Sequence, residues 1–211
     1  MDELLQNLSN VVCHRLLLHL ALEETRGSAH PVLAMGLDPE TTGILRDICD
    51  RDGRLLVSLE EDIFAAAALR PPVGRGSSRH EILCCAFDAA PIEARGPWSV
   101  AVLDHAPGER RKDDALRLLD RCEVIVLHDT EPDADSGYQF STIWGRWRQR
   151  VDVKTGGAWA SAISSTRDLS RWRGYRSVDY VVTMGDEEVG ENVVGAGVQR
   201  MFDVEREKWD G

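Results

Sequence analysis

The sequence predicts an α/β protein built on a doubly wound, mostly parallel sheet with helices on both faces. Two observations carry the prediction. Apolar runs of strand length, bounded by turn residues, alternate with charged helical segments, which is the pattern of βαβ units with right-handed crossovers. Two of those runs, Trp98-Ser-Val-Ala-Val-Leu103 and Val124-Ile-Val-Leu127, each end in a polar tip, Asp104-His105 and His128-Asp129-Thr130-Glu131. In an open parallel sheet ligands bind outside the carboxyl ends of the strands, so acids placed there by neighbouring strands can converge on one ligand or metal.

The elements follow in order. Leu4 to Glu24 reads as a helix with Leu8, Val12, Leu16 and Leu20 along one side, stopped by Gly27. Pro31 to Met35 is a short buried strand, followed by a turn at 36–40. Thr41 or Thr42 opens the next helix, whose Ile44, Leu45 and Ile48 face the sheet until Gly53. Arg54 to Leu59 is a second strand tipped by Glu60. An alanine-rich helix, Glu61 to Leu69, ends at Pro71 and Pro72, and 73–78 is a loop. Glu81 to Ala86 is a third strand, with Cys84 and Cys85 in its core. Between the two acid-tipped strands, Gly108 to Arg121 is a charged crossover helix with Leu116, Leu118 and Leu119 as its apolar stripe. Beyond a polar loop at 133–137, Phe140 to Gln149 reads as a short helix. Val151–Lys154 and Ala158–Ser164 read as a late hairpin, Val178–Thr183 as a strand, and Val194 to Trp209 as a terminal helix.

A chain of 211 residues suffices for one α/β domain. The expected organisation is an N-terminal helix packing on the core (1–30), the sheet domain (31–170) and a C-terminal extension of it (171–211). That extension either covers the cleft or forms a subunit contact in a homodimer. With 25 basic against 36 acidic residues, the net charge of −11 argues against nucleic acid or an anionic membrane as partner. Arg146, Arg148, Arg150 and Lys154 are the best local basic patch. The five cysteines show no CxxC spacing, which fits a reducing, cytoplasmic setting better than a disulfide framework. The apolar stretch 11–22 is interrupted by His14, Arg15 and His19 and reads as neither a signal peptide nor a membrane span.

Four stations along 31–166 resemble class I S-adenosylmethionine-dependent methyltransferases, particularly metal-assisted small-molecule O-methyltransferases related to catechol and macrolide sugar O-methyltransferases. These are the turn Gly36-Leu-Asp-Pro-Glu-Thr-Thr42, Glu60, Asp104-His105 and His128-Asp129-Thr130. The resemblance implies S-adenosylmethionine as cofactor, held by Gly36, Asp38, Thr42, Glu60, Asp104 and His105, with Glu60 on the ribose diol. It implies Mg²⁺ or another hard cation at Asp104, Asp129 and Thr130, which would acidify and orient an acceptor hydroxyl. His105, Asp104 and Arg110 are the catalytic candidates: a histidine base, its acidic neighbour and a cation that meets an acidic substrate. The substrate is a small hydroxylated molecule.

The sequence also departs from that pattern. Ala34 stands where the family has an acid near the turn, Asp38 where it has a second glycine, and Ala106-Pro107 follows His105 where metal-dependent members carry a lysine. Asp38 could meet the cofactor's ammonium from a shifted position. The alternatives are a divergent protein of the same fold that lost the cofactor and acts as a binding or scaffold protein, or metal-assisted hydrolysis or hydroxylation in the same cleft. Each residue also has a structural reading: Asp104 and Asp129 as caps or turn formers, Glu60 as a solvated acid, His128 as a hydrogen-bonding group, and Trp144, Trp147 and Trp159 as packing residues.

Overall fold

A computed structural model describes residues 13–70, 79–155, 159–173 and 180–185. Five parallel strands, β1 (Val32–Met35), β2 (Leu56–Glu60), β3 (His80–Cys84), β4 (Trp98–Leu103) and β5 (Cys122–His128), continue into an antiparallel region, β6 (Gln149–Thr155), β7 (Trp159–Ser164) and β8 (Tyr180–Met184). The strand order is β3-β2-β1-β4-β5-β7-β6-β8. The order reverses between β1 and β4, so the crevice outside Met35 and Leu103, which are paired in register, is the topological switch point. β7 enters antiparallel to β5, with His128 opposite Ala160, which brings residues 159–160 to the same edge.

The central strands are predominantly apolar because both faces are covered, with Ser58 and Ser99 as buried exceptions. Alternate residues divide cleanly. Val32, Ala34, Val100, Val102, Val124 and Val126 pack against α1 (Cys13–Glu24) and α2 (Pro39–Asp52). Leu33, Met35, Ala101, Leu103, Ile125 and Leu127 pack on the other face with Phe87, Ile92 of α4 (Ile92–Arg95) and Phe140. Between β2 and β3 lies α3 (Ile63–Ala68), and between β4 and β5 lies α5 (Arg111–Arg117). A short helix, α6 (Asp135–Tyr138), follows β5.

Several expectations shift. The buried face of α1 includes the expected Leu20 but also His14, Leu17, Leu18, Ala21 and Leu22, while Leu16 is only partly buried against the core. Helix α2 starts at Pro39 with Asp38 as its N-cap, ahead of the two threonines, because proline presets the first helical turn. The crossover helix buries Arg111 and Asp114 beside Leu118, while Leu116 and Leu119 are only partly buried. The helix expected over 140–149 is a pair of 3₁₀ turns, Phe140–Thr142 and Trp144–Arg146, before β6 begins at Gln149. Cys84 is exposed and Cys85 half-buried because β3 is the edge strand. The expected loop at 73–78, the terminal helix at 194–209 and the first part of the N-terminal helix lie outside the described residues. No helix among the described residues is long and apolar enough to cross a membrane.

Candidate functional site

The carboxyl edge of the parallel strands gathers the predicted residues into two groups. The first surrounds β1 and β2. Gly36 leaves β1 with φ +71, and a Cβ there would lie 2.3 Å from the Cα of His105. Glycine is therefore demanded twice, by the left-handed backbone and by the end of β4 pressing against it. Asp38 accepts hydrogen bonds from the Thr41 amide (2.9 Å) and hydroxyl (2.5 Å), as an N-cap does. Burial pushes its carboxyl up, but these bonds outweigh burial and hold it below the usual carboxylate range. Ala34 is buried in the core. Thr42 is buried, and its hydroxyl makes no hydrogen bond.

Glu60 turns one oxygen back to the amides of Glu61 (2.8 Å) and Asp62 (3.2 Å), and its Oε2 makes no hydrogen bond. Asp62 caps α3 through the amides of Phe64 and Ala65. Beside this cap, Ile63 and Phe64 are strongly exposed, Phe64 at 81%.

The second group spans β4 and β5, and its centre is Arg111, the neighbour of the candidate Arg110. Its Nε donates to the His105 carbonyl (2.8 Å). Nη1 donates to the His128 carbonyl (3.2 Å) and the Asp129 carboxylate (2.8 Å), and Nη2 to the Asp104 carbonyl (3.1 Å). Nη2 also lies 3.2 Å from the Asp104 carboxylate. The guanidinium thus makes four hydrogen bonds and one further ion pair, and two parallel strand ends are stitched together by one side chain. The Tyr138 ring covers it at 5.4 Å, against the open Cα of Gly108, where a Cβ would lie 2.4 Å from that ring.

Asp129 adopts φ 56, a left-handed conformation that aspartate tolerates. Hydrogen bonds from His128 and Arg111 hold its carboxyl down to about 2. Nδ1 of His128 lies 3.0 Å from Asp104 Oδ1 and 3.1 Å from Asp129 Oδ1. Above them, at the described start of α1, stands His14, which meets the His128 ring edge-on at 4.8 Å. His14 is 2% exposed and neither ring nitrogen has a hydrogen-bond partner among the described residues. Burial, then repulsion from His128, lowers its pKa to about 4, so it is a neutral imidazole at physiological pH. An orphaned buried donor of this kind costs on the order of 1–3 kcal/mol.

The catalytic candidates separate. Asp104 faces the cleft at 19% side-chain exposure, whereas the His105 side chain is fully buried. His105 stacks on Phe87 at 4.4 Å and its Nε2 lies 3.1 Å from Asp114, so it backs the site and does not face a substrate. Arg110 pairs with Asp114 (3.3 Å) and more distantly with Asp88 (3.8 Å).

The expected Mg²⁺ set does not fit this arrangement. Asp129 is committed to Arg111, whose positive charge sits between the two carboxylates. The Thr130 hydroxyl belongs to a buried chain instead: Ser161 Oγ bridges it (2.8 Å) to Asp152 (2.6 Å), which receives Arg150. Sequence reasoning missed His14 altogether. Its only signal was an imidazole interrupting an apolar helical face.

No family model matches the chain, and no curated protein does. Solved structures do. An O-methyltransferase from Bacillus cereus in complex with SAH is 14% identical with a TM-score of 0.55, over 74% of this chain and 83% of that one. The O-methyltransferase TomG from Streptomyces achromogenes, in complex with SAM, is 17% identical with a TM-score of 0.53, over 78% and 91%. Spermidine synthase from Thermotoga maritima is 20% identical with a TM-score of 0.53, over 74% and 59%. The fold is therefore the Rossmann-like one of class I S-adenosylmethionine-dependent methyltransferases, and that fold also carries other activities.

Proposed function

We propose that this protein transfers a methyl group from S-adenosylmethionine to a hydroxyl of a small hydroxylated molecule. The observation that carries the reading is Glu60. It stands at the end of β2, beside the switch-point crevice, with Oε2 uncommitted. A carboxylate so placed can accept both hydroxyls of a ribose, and the exposed Phe64 ring next to it offers an apolar face to a purine. Asp104 and His128, partly exposed across the crevice, face the acceptor. S-Adenosylmethionine supplies the methyl group when bound. The protein's part is to hold donor and acceptor in line at the edge between β1 and β4.

A second reading is favoured by one observation: Asp38 is locked into the α2 cap and Ala34 into the core, so neither offers a free acid to the cofactor's amino-acid end. On that reading the protein keeps the fold and binds or scaffolds another molecule.

Calorimetry with S-adenosylmethionine and S-adenosylhomocysteine separates the two. The methyltransferase reading expects binding that Glu60→Ala weakens about tenfold or more, since hydrogen bonds to a charged group contribute about 1.5–3 kcal/mol. Absence of binding at millimolar ligand would leave the scaffold reading standing.

A further inference from the structure

We propose that His14, Asp104 and His128 form a binding site for a borderline divalent transition metal such as Zn²⁺, Fe²⁺ or Co²⁺, sharing only Asp104 with the expected hard-cation set and differing from it in metal class. One ligand atom from each of the three lies within 4.8 Å of the others, a separation that small side-chain adjustments close. The residues come from the start of α1 and the tips of β4 and β5, so the site assembles only in the folded chain.

Three features of these side chains point to a cation. His14 is buried and neither of its ring nitrogens meets a hydrogen-bond partner among the described residues, and coordination satisfies such a group without a protein donor or acceptor. Asp104 uses only Oδ1, for His128 and Arg111, and Oδ2 makes no hydrogen bond. The Asp104 and Asp129 carboxylates beside Nδ1 fix the orientation of the His128 ring, which meets His14 edge-on at 4.8 Å, so the three side chains share one small volume.

Two imidazoles and one carboxylate suit Zn²⁺ and Fe²⁺, whereas Mg²⁺ and Ca²⁺ prefer oxygen ligands. Asp104 and His128 are each about one-fifth exposed, so the fourth side of the site opens on the cleft. There the metal acts as a Lewis acid towards an acceptor oxygen. That use rests on the proposed methyl transfer, but the metal site does not.

Calorimetric titration of the metal-free protein with Zn²⁺ and Co²⁺, with Mg²⁺ alongside, tests the proposal without any activity assay. One equivalent of Zn²⁺ or Co²⁺ is expected to bind, at least about 100-fold tighter than Mg²⁺. His14→Ala and His128→Ala should each abolish binding. Asp129→Asn, which removes a partner of His128 but no ligand, should weaken it about 10- to 100-fold. His30→Ala should leave binding unchanged. X-ray absorption on the wild-type zinc protein, which depends on no variant, should show nitrogen and oxygen neighbours at about 2.0–2.2 Å. Sulfur in that shell, saturable binding only to Mg²⁺, no binding of either transition metal, or full affinity in a folded His14→Ala protein would each overturn the proposal. Metal binding without S-adenosylmethionine binding would refute the methyltransferase reading and leave the metal site intact.

Discussion

The two halves of the sheet's carboxyl edge carry similar acids but hold them by different physics. Around β1 and β2, Asp38, Glu60 and Asp62 each satisfy backbone amides one to three residues ahead, in exposed or half-exposed turns. Around β4 and β5, Asp104 and Asp129 are held by Arg111 and His128, from another element or a neighbouring strand, with His14 closing the group from α1. The first half is built locally and stays adaptable. The second is a tertiary charge network in which each member depends on the others, and so it should be the more sensitive to mutation.

The largest effect should come from the clamp. Arg111→Ala strips the hydrogen bonds from three carbonyls and the Asp129 carboxylate at the strand tips, together with the ion pair to Asp104, and should destabilise the protein by about 3–5 kcal/mol in denaturant unfolding. Arg111→Lys should rescue little, because an ammonium cannot span that fork. A loss under about 1 kcal/mol would erase the distinction between the halves.

Gly36→Ala probes the seam where they meet, by forcing a Cβ into the His105 backbone at positive φ. About 3 kcal/mol of destabilisation is expected from thermal melts, combining strain with a collision against backbone that cannot swing aside. A milder loss would mean that the β4 end yields more readily than its position under Arg111 implies.

Asp114 extends the network beneath the site. It is fully buried beside His105 and Arg117. Burial raises its carboxyl, but those two contacts outweigh burial and hold it below the ordinary range. In this acid's case the unfolded chain takes up protons first as pH falls. The stabilisation is therefore present above the unfolded value near 3.8 and is lost below it. Asp114→Asn should cost about 1.5–3 kcal/mol at pH 7 and flatten the acid limb of a stability–pH curve; an unchanged limb would place the acid sensitivity elsewhere.

In the locally built half the effects should be small. Asp38→Ala should cost about 1 kcal/mol, largely restored by Asp38→Ser, as for any helix cap. Glu60→Gln should change the melting temperature negligibly, because the amide oxygen can still accept from Glu61 and Asp62, while on the proposed reading it weakens S-adenosylhomocysteine. If Glu60→Gln destabilised the protein as much as Asp114→Asn, Glu60 would be a structural residue.

The same division explains what could be read from the chain. The parallel strands were legible because burial on both faces makes the central ones predominantly apolar, and the edge strand β3 was legible from its short apolar run. The β6–β7 hairpin was legible from alternation around a glycine-rich turn. The positions of Glu60 and the acid tips were legible because the carboxyl ends of parallel strands fall along one edge of the sheet. Residues 140–149 misled, because their aromatic spacing imitates a helical stripe while Gln139 in a left-handed conformation and Gly145 interrupt the backbone. The crossover helix misled in the opposite sense. Its leucines suggested the buried face, but Arg111 and Asp114 occupy much of it, and a buried charge is tolerated only when its partners are supplied from elsewhere.

The sequence alone therefore determined the strand sequence, the doubly wound class and the edge on which a site must lie, because periodicity and burial are properties of neighbouring residues. Only the tertiary structure decided which groups that edge brings together. Arg111 replaces the expected cation between the acids, His105 retires behind them, and His14 arrives from far along the chain, because a charge or an imidazole is satisfied by whatever the fold sets beside it.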